Sequence, residues 1–326
     1  MRKALIIGNN DYHSSPLSCC VNDAHSLDEQ LRRNADGSPN FNSKILTNVN
    51  YDDLLYHISE LFKGNGDIAL LYFSGHGMLT ETGAEIIPID FNIRHCGISM
   101  EKILKYVNSS YFKNRIVIFD CCYSGNMGDS SQQCSCSNAS NISSLQSGVT
   151  ILTACSTQEY SYETGSHGIF TNLLLEALRG GAANLRGEIT PGAIYSFIDQ
   201  SLGAWDQRPI FKTNVNSFCS VKRVAPPVSL DIIRKLPEYF PSIENQFPLD
   251  PSYEFTNSPD YCHATTEPYA NPKHVSVFRD LQQLESVGLI KPISEEHMYF
   301  AAMNSKSCGL TALGIHYWFL AKKNLF

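Results

Sequence analysis

Two apolar runs in this chain each end in a side chain capable of acid–base or nucleophilic chemistry. Ile68 to Phe73 leads into Ser74-Gly75-His76-Gly77, and Ile116 to Phe119 leads into Asp120-Cys121-Cys122-Tyr123-Ser124-Gly125. An imidazole can take the proton of a thiol near neutral pH, and the resulting thiolate attacks carbonyl carbon. Both runs have the length and residue types of buried strands. Parallel strands of an open α/β sheet present their carboxyl ends to one crevice, where such folds place their chemistry. His76 and Cys122 are therefore expected to meet there as the pair of a thiol hydrolase.

The elements needed to position that pair are legible along the first two thirds of the chain. Strands are expected at Ala4–Ile7, Lys44–Leu46, Ile68–Phe73, Arg115–Phe119 and Val149–Thr153, with a weaker one at Val215–Val221. Helical patterns fall between them at Asn22–Asn34, Asp52–Lys63, Met100–Val107, Phe170–Arg179 and Pro191–Leu202. Ala24, Leu27 and Leu31, for example, share one helix face. Alternating strands and helices give an α/β class with a mostly parallel, doubly wound sheet. Between Gly125 and Gly148 the sequence is rich in Ser, Asn, Gln and Cys, and a surface loop is expected there, either gating the site or serving as disordered filler.

Composition excludes several classes. A formal charge of −7 opposes a dedicated nucleic-acid binder. Eleven cysteines give no disulfide framework, since Cys19-Cys20 and Cys121-Cys122 are adjacent pairs; Cys134-Ser135-Cys136 is a lone CxC, so no zinc site is expected. The opening MRKALIIGNNDYH reads as a first strand and not as a leader, and no run approaches the roughly twenty apolar residues of a membrane span. A cytoplasmic protein without membrane contact is expected.

His76 and Cys122 lie 46 residues apart, in the order and near the spacing of caspases, although the Q-A-C-x-G motif is absent. Asp120-Cys121-Cys122-Tyr123-Ser124-Gly125 instead resembles the D-x-C-H/Y-S-G box of metacaspases and their bacterial relatives, and Ser74-Gly75-His76-Gly77 resembles their histidine box. Leu17-Ser18-Cys19-Cys20-Val21-Asn22-Asp23-Ala24 is similar to a third signature, L-x-G-C-x-N-D-A, with Ser or Cys where glycine is usual. Gly168-Ile169-Phe170-Thr171 is similar to a fourth, G-x-F-T. The resemblance covers Met1 to about Val221. It implies the caspase–hemoglobinase fold, a three-layer sandwich around a mostly parallel six-stranded sheet.

It also implies roles. Cys122 would be the nucleophile and Cys121 an inert neighbour. His76 would act as base and then acid, with the N–H groups of Gly77 and Cys122 holding the oxyanion. Asp23 and Asp120, with Cys20 and Ser74, would line the pocket for the residue before the cleaved bond. Two carboxylates in one cleft call for a cation, so cleavage after Arg or Lys is expected. Asp23 has a second reading as a first-turn helix residue, and Asp120 as a partner of its own turn. No Lys or Arg occurs from Ile116 to Leu178, so the loop after Cys122 contains no basic self-cleavage site. The reaction requires no cofactor; the resemblance permits calcium, although no acidic cluster demands it.

Val224-Ala225-Pro226-Pro227 marks the expected domain boundary, giving a peptidase domain over 1–225 and a sensor or regulatory domain over 226–326. In the latter, a helix at His274–Val287 ending in Gly288-Leu289-Ile290, a two-stranded segment at His297–Met303, and Leu310-Thr311-Ala312-Leu313-Gly314 before an aromatic helix resemble a winged-helix module from about 274. Eight bases against eleven acids give it a balance of −3, which disfavours DNA. Tyr253, Phe255, Tyr261, Tyr269, His263 and His274 could stack a planar ligand or fill a small core. The expected activator is a nucleotide-derived messenger or a partner protein, and the expected role is that of a signal-activated effector in bacterial immunity or cell death. The alternatives are a catalytically silent scaffold and a winged-helix DNA-binding regulator.

Overall fold

Alternation along the strands decides the layers of the first unit, Met1–Ala225. The computed structural model describes residues 1–80, 83–92, 97–121, 145–154, 167–202, 208–261 and 265–326. Its main sheet holds β1 (Arg2–Gly8), β2 (Asn42–Thr47), β3 (Asn65–Ser74), β7 (Tyr111–Asp120), β8 (Val149–Thr153) and β10 (Ile210–Asn214), in the order β10-β8-β7-β3-β1-β2. All neighbours are parallel except β10, which runs antiparallel to β8 at one edge.

Ala4, Ile6, Leu70, Tyr72, Ile116 and Ile118 point to one face, where α1 (Cys20–Arg32), α4 (Ile169–Glu176) and α5 (Pro191–Ser201) bury Leu27, Leu31, Leu174 and Ile198. Leu5, Ile7, Leu71, Phe73, Val117 and Phe119 point to the other, covered by α2 (Tyr51–Phe62) and α3 (Met100–Ser109) through Leu54, Ile58, Ile103 and Val107. Each of these fully buried side chains contributes about 1.5–3 kcal/mol through lost apolar exposure. The central strands are hydrophobic on both faces, as a sheet covered on both sides requires. Small ribbons complete the unit. β4 (Gly77–Thr80), β5 (Gly83–Ile86) and β6 (Ile98–Ser99) form one sheet; β9 (Glu188–Ile189) and β11 (Lys222–Arg223) form another.

This is a six-stranded, mostly parallel sheet between two helical layers, as expected for the caspase–hemoglobinase class. The edge strand is a correction. It occupies Ile210–Asn214 and not Val215–Val221, because the partners of Val149 to Thr153 are Asn214 back to Ile210. The helix expected to run through Arg179 leaves α-geometry at Ala177 and closes in a wide turn to Gly181, with Gly180 at φ +135°.

The second unit, Pro226–Phe326, has its own core. It contains α6 (Leu230–Arg234), α7 (Leu236–Tyr239), β12 (Gln246–Pro248), α8 (Pro272–Ser286), β13 (Ile290–Ile293), α9 (Met298–Met303), β14 (Ser307–Leu310) and α10 (Ala312–Lys322). An antiparallel sheet β12-β14-β13 packs with Phe278, Leu281, Leu284, Phe240 and Trp318, whose indole N–H donates to the Phe240 carbonyl at 2.7 Å. Gly314 is required, since a Cβ there would lie 1.8 Å from the Leu289 carbonyl oxygen. The strands expected at His297–Met303 are instead helix α9: Met298, Ala301 and Ala302 are buried at helical spacing. Tyr253 and His274, both half-buried, stack on each other at 4.4 Å, and Tyr253 meets Phe247 and Phe278 edge-on, whereas Phe255, Tyr261 and Tyr269 are exposed. His263 lies outside the described residues.

Candidate active site

Register brings the site together. Ser74 at the end of β3 pairs with Gly8 of β1 on one side and Asp120 of β7 on the other. The ladder extends one residue further, with the Gly75 N–H donating to the Asp120 carbonyl at 3.3 Å. His76 therefore lies two residues beyond one member of a register pair, and Cys122 is two residues beyond the other in sequence. Cys122 itself, like most of the expected gating loop, lies outside the described residues, which stop at the buried Cys121.

α1 starts directly over these strand ends because β1 ends in glycine. A Cβ on Gly8 would fall 2.2 Å from the Cys20 carbonyl oxygen. That close approach delivers Cys20 and Asp23, in the first turn of α1, to the carboxyl ends of β1 and β3.

His76 is held from three directions. Its Nε2 lies 2.7 Å from the Ser15 carbonyl oxygen. A carbonyl only accepts, so Nε2 carries the proton and Nδ1 is left for proton exchange. The His76 main-chain N–H donates to the Tyr12 hydroxyl at 3.0 Å, and that hydroxyl donates to the Ile87 carbonyl at 2.9 Å. The Tyr12 ring also packs on the imidazole, with centroids 4.5 Å apart. Burial pushes the Tyr12 phenol well above its ordinary range, so it stays neutral and keeps both bonds. Gly75 leaves room for it, since a Cβ there would be 2.4 Å from the Tyr12 oxygen. Gly77 is buried and opens β4 opposite Ile86.

Beside the histidine lies a small acidic chamber. Asp23 is 1% exposed and Ser74 is 2% exposed, with the Ser74 hydroxyl 3.5 Å from Asp23 Oδ2. His167 Nδ1 sits 2.7 Å from Asp23 Oδ1. The Thr171 hydroxyl donates to Asp120 Oδ2, and the buried Tyr72 hydroxyl meets the Thr171 hydroxyl in turn. Gly168, which caps α4, stands between the carboxylates: a Cβ built on it would lie 3.5 Å from Asp120 Oδ2 and 3.7 Å from Asp23 Oδ2.

Electrostatics follow from this enclosure. Burial pushes Asp120 up to about 7; the Thr171 hydrogen bond opposes the shift and Asp23 adds to it. Burial also raises Asp23, against the hydrogen bond and charge of His167. The Cys20 thiol is pushed up to about 12 by burial, against a hydrogen bond from Ser74, so it lines the chamber as a neutral group. Among the described residues, His167 is the sole basic side chain paired with either carboxylate. Two acids that share a site in this way oppose each other's ionisation. No group of three or more described His, Cys, Asp or Glu side chains could hold a metal ion.

Asp23, Asp120, Cys20 and Ser74, singled out from sequence, thus share one chamber, and His76 stands two residues from Ser74. Tyr12, Ser15, His167 and Thr171 were not anticipated in these roles. Ser15 acts through a main-chain oxygen, which no side-chain motif can signal. Gly168 and Thr171 did fall in a recognised box, but only the structure connects that box to the carboxylates.

Comparisons with known proteins agree with this architecture. Residues 1–216 match the family model described as the caspase domain. Metacaspase-3 of Trypanosoma cruzi (strain CL Brener) is 28% identical over 152 residues, which cover 39% of this chain and 41% of that protein. The chain thus matches about two fifths of the length of that curated relative. The crystal structure of caspase-1 from Spodoptera frugiperda superposes with a TM-score of 0.50 at 14% identity, covering 68% of this chain and 90% of that one. This last likeness concerns the fold.

Proposed function

Since the chain belongs to the caspase-domain family, we propose that it is a cysteine endopeptidase that cleaves polypeptides after Arg or Lys. Cys122 is the nucleophile. His76, held through Nε2 by Ser15, takes the thiol proton and returns it to the departing amine. The N–H groups of Gly77 and Cys122 stabilise the tetrahedral oxyanion. The side chain before the scissile bond enters the chamber of Asp23, Asp120, Ser74 and Cys20.

The observation that carries this reading is the convergence of the buried Asp23 carboxylate and the half-buried Asp120 carboxylate on Gly168 beside the histidine strand. A guanidinium or ammonium group there neutralises charge that burial otherwise disfavours, and arginine can engage two acceptors at once. A substrate Asp would add a third carboxylate. A silent scaffold would need neither this chamber nor a histidine fixed by three contacts.

Purified protein and its Cys122→Ala variant, assayed on peptides with Arg, Lys or Asp before the scissile bond, test the proposal. One arm includes calcium, which the resemblance permits. Cleavage after Arg and Lys that disappears in the variant is the expected result. Activity surviving in Cys122→Ala, or cutting only after Asp, would overturn it. The second unit is read as the element that receives an activating signal, a messenger or a partner protein. The role in bacterial immunity or cell death rests on the family resemblance, and a cytoplasmic location is part of the same proposal. Among the described residues, no helix is long and apolar enough to cross a membrane.

A further inference from the structure

A second cluster of charge, opposite in sign, lies at the far end of the same helices. A cavity of about 330 Å³ is lined by Gln30, Arg33, Arg179, Gly180, Lys222 and the segment entering Ala225. Asp23 and Gln30 stand at opposite ends of α1, about 10 Å apart along its axis at 1.5 Å per residue. The cavity is therefore distinct from the acidic chamber, and its reading is independent of the peptidase assignment.

Its lining holds three cations and no carboxylate. Lys222 is 7% exposed, and its ammonium donates to the neutral Gln30 Oε1 at 2.7 Å. Among the described residues no acid pairs with Lys222 or Arg33; Arg33 donates to the Gly37 carbonyl at 2.8 Å. Arg179 holds Glu176 through one nitrogen at 2.6 Å and keeps further donors. Burial, and then repulsion from Arg179, lower the Lys222 pKa, as expected of a cation lacking its counter-ion.

A buried ammonium without an acid is costly, and proteins normally pair such groups. The walls are nonetheless firmly built. Asn34 accepts from the Arg223 N–H at 2.9 Å, Ala35 donates to the Arg223 carbonyl at 2.9 Å, and Gly180 turns the chain at φ +135°. A preformed, cation-lined cavity of small-molecule size is the signature of an anion site.

We propose that this cavity binds the phosphoryl group of a small metabolite, held by Lys222, Arg179 and Arg33. A phosphoryl dianion offsets more of the triple charge than one carboxylate does, and the arginine forks match its oxygens. Bound anion supplies the counter-charge that Lys222 lacks, next to the segment that leads into Pro226.

Titration calorimetry on the full chain with pyrophosphate, ADP and citrate, at low and at raised salt, tests the site. Pyrophosphate or ADP should bind, several-fold more weakly when salt is raised from roughly 50 to 200 mM. Lys222→Met and Arg179→Gln should each weaken that binding at least tenfold. Lys222→Met removes a buried cation, so without ligand it should melt no lower than the wild type; Arg179→Gln alters a half-exposed side chain and serves if the first variant folds poorly. Tighter binding of ADP than of pyrophosphate would identify a nucleotide as the source of the phosphoryl group. Absence of binding, binding that survives both substitutions, or binding of citrate alone would overturn the proposal.

Discussion

Replacing Asp120 with asparagine probes the acidic chamber without changing its shape. The amide carbonyl can still accept the Thr171 hydrogen bond that Asp120 Oδ2 receives. Burial raises the Asp120 carboxyl from an ordinary 3.8 to about 7 in the folded protein. Such a group holds its proton more tightly when folded than when unfolded, so its contribution to stability is complete below about pH 3.8 and is lost as pH rises through about 7. A shift of about three pH units corresponds to on the order of 4 kcal/mol. The substituted amide does not ionise, so the unfolding free energy of Asp120→Asn minus that of the wild type should climb between about pH 4 and 7, by up to on the order of 4 kcal/mol, and then level off. Urea unfolding of both proteins at pH 5, 6, 7 and 8 measures this directly. The same variant should lose about 10–100-fold in kcat/KM on peptides with Arg before the scissile bond, because a charge-assisted partner worth about 1.5–3 kcal/mol is gone. Gained stability with lost activity would mark a carboxylate kept for binding. A stability difference that is flat with pH, or that falls as pH rises, would refute the reasoning.

Two other substitutions test the scaffold around the site. Tyr12→Phe removes the acceptor for the His76 N–H and the donor to Ile87; it should cost about 1–3 kcal/mol in thermal or urea unfolding. By loosening the imidazole it should lower kcat about tenfold with little change in KM. Gly8→Ala would drive a methyl group against the Cys20 carbonyl and displace the first turn of α1. Its unfolding free energy should fall by about 1–3 kcal/mol, and cleavage after Arg should weaken through KM as Asp23 moves.

The parts of the molecule that sequence revealed are those where one physical requirement dominates. β1, β3 and β7 are covered on both faces, so their apolar runs end where the sheet ends, and their last residues, Gly8, Ser74 and Asp120, mark the site. The edge strand Ile210–Asn214 is paired on one side only and its exposed half shows little alternation, so a later run appeared more strand-like. Met298–Met303 carries Tyr299 and Phe300, which favour strands, yet tertiary packing of Met298, Ala301 and Ala302 selects a helix. The histidine supports eluded a reading by motif for a different reason. Tyr12 and Ser15 come from the loop after β1, and what matters in Ser15 is its main-chain carbonyl. His167 and Asp23 are 144 residues apart, and no local sequence pattern signals their contact.

The central claim, a Cys122 nucleophile served by an acidic specificity chamber, is tested most directly by an affinity label. A peptidyl chloromethyl ketone ending in Arg places its ketone where the scissile carbonyl would stand and a chloromethyl carbon beside it; the thiolate sulfur bonds to that methylene carbon as its C–Cl bond breaks and chloride leaves. Peptide mapping by mass spectrometry should find one label per chain, on Cys122, with labelling by the Arg reagent far faster than by its Asp counterpart and slowed by Asp120→Asn. Modification of another residue, or equal rates for the Arg and Asp reagents, would contradict the account.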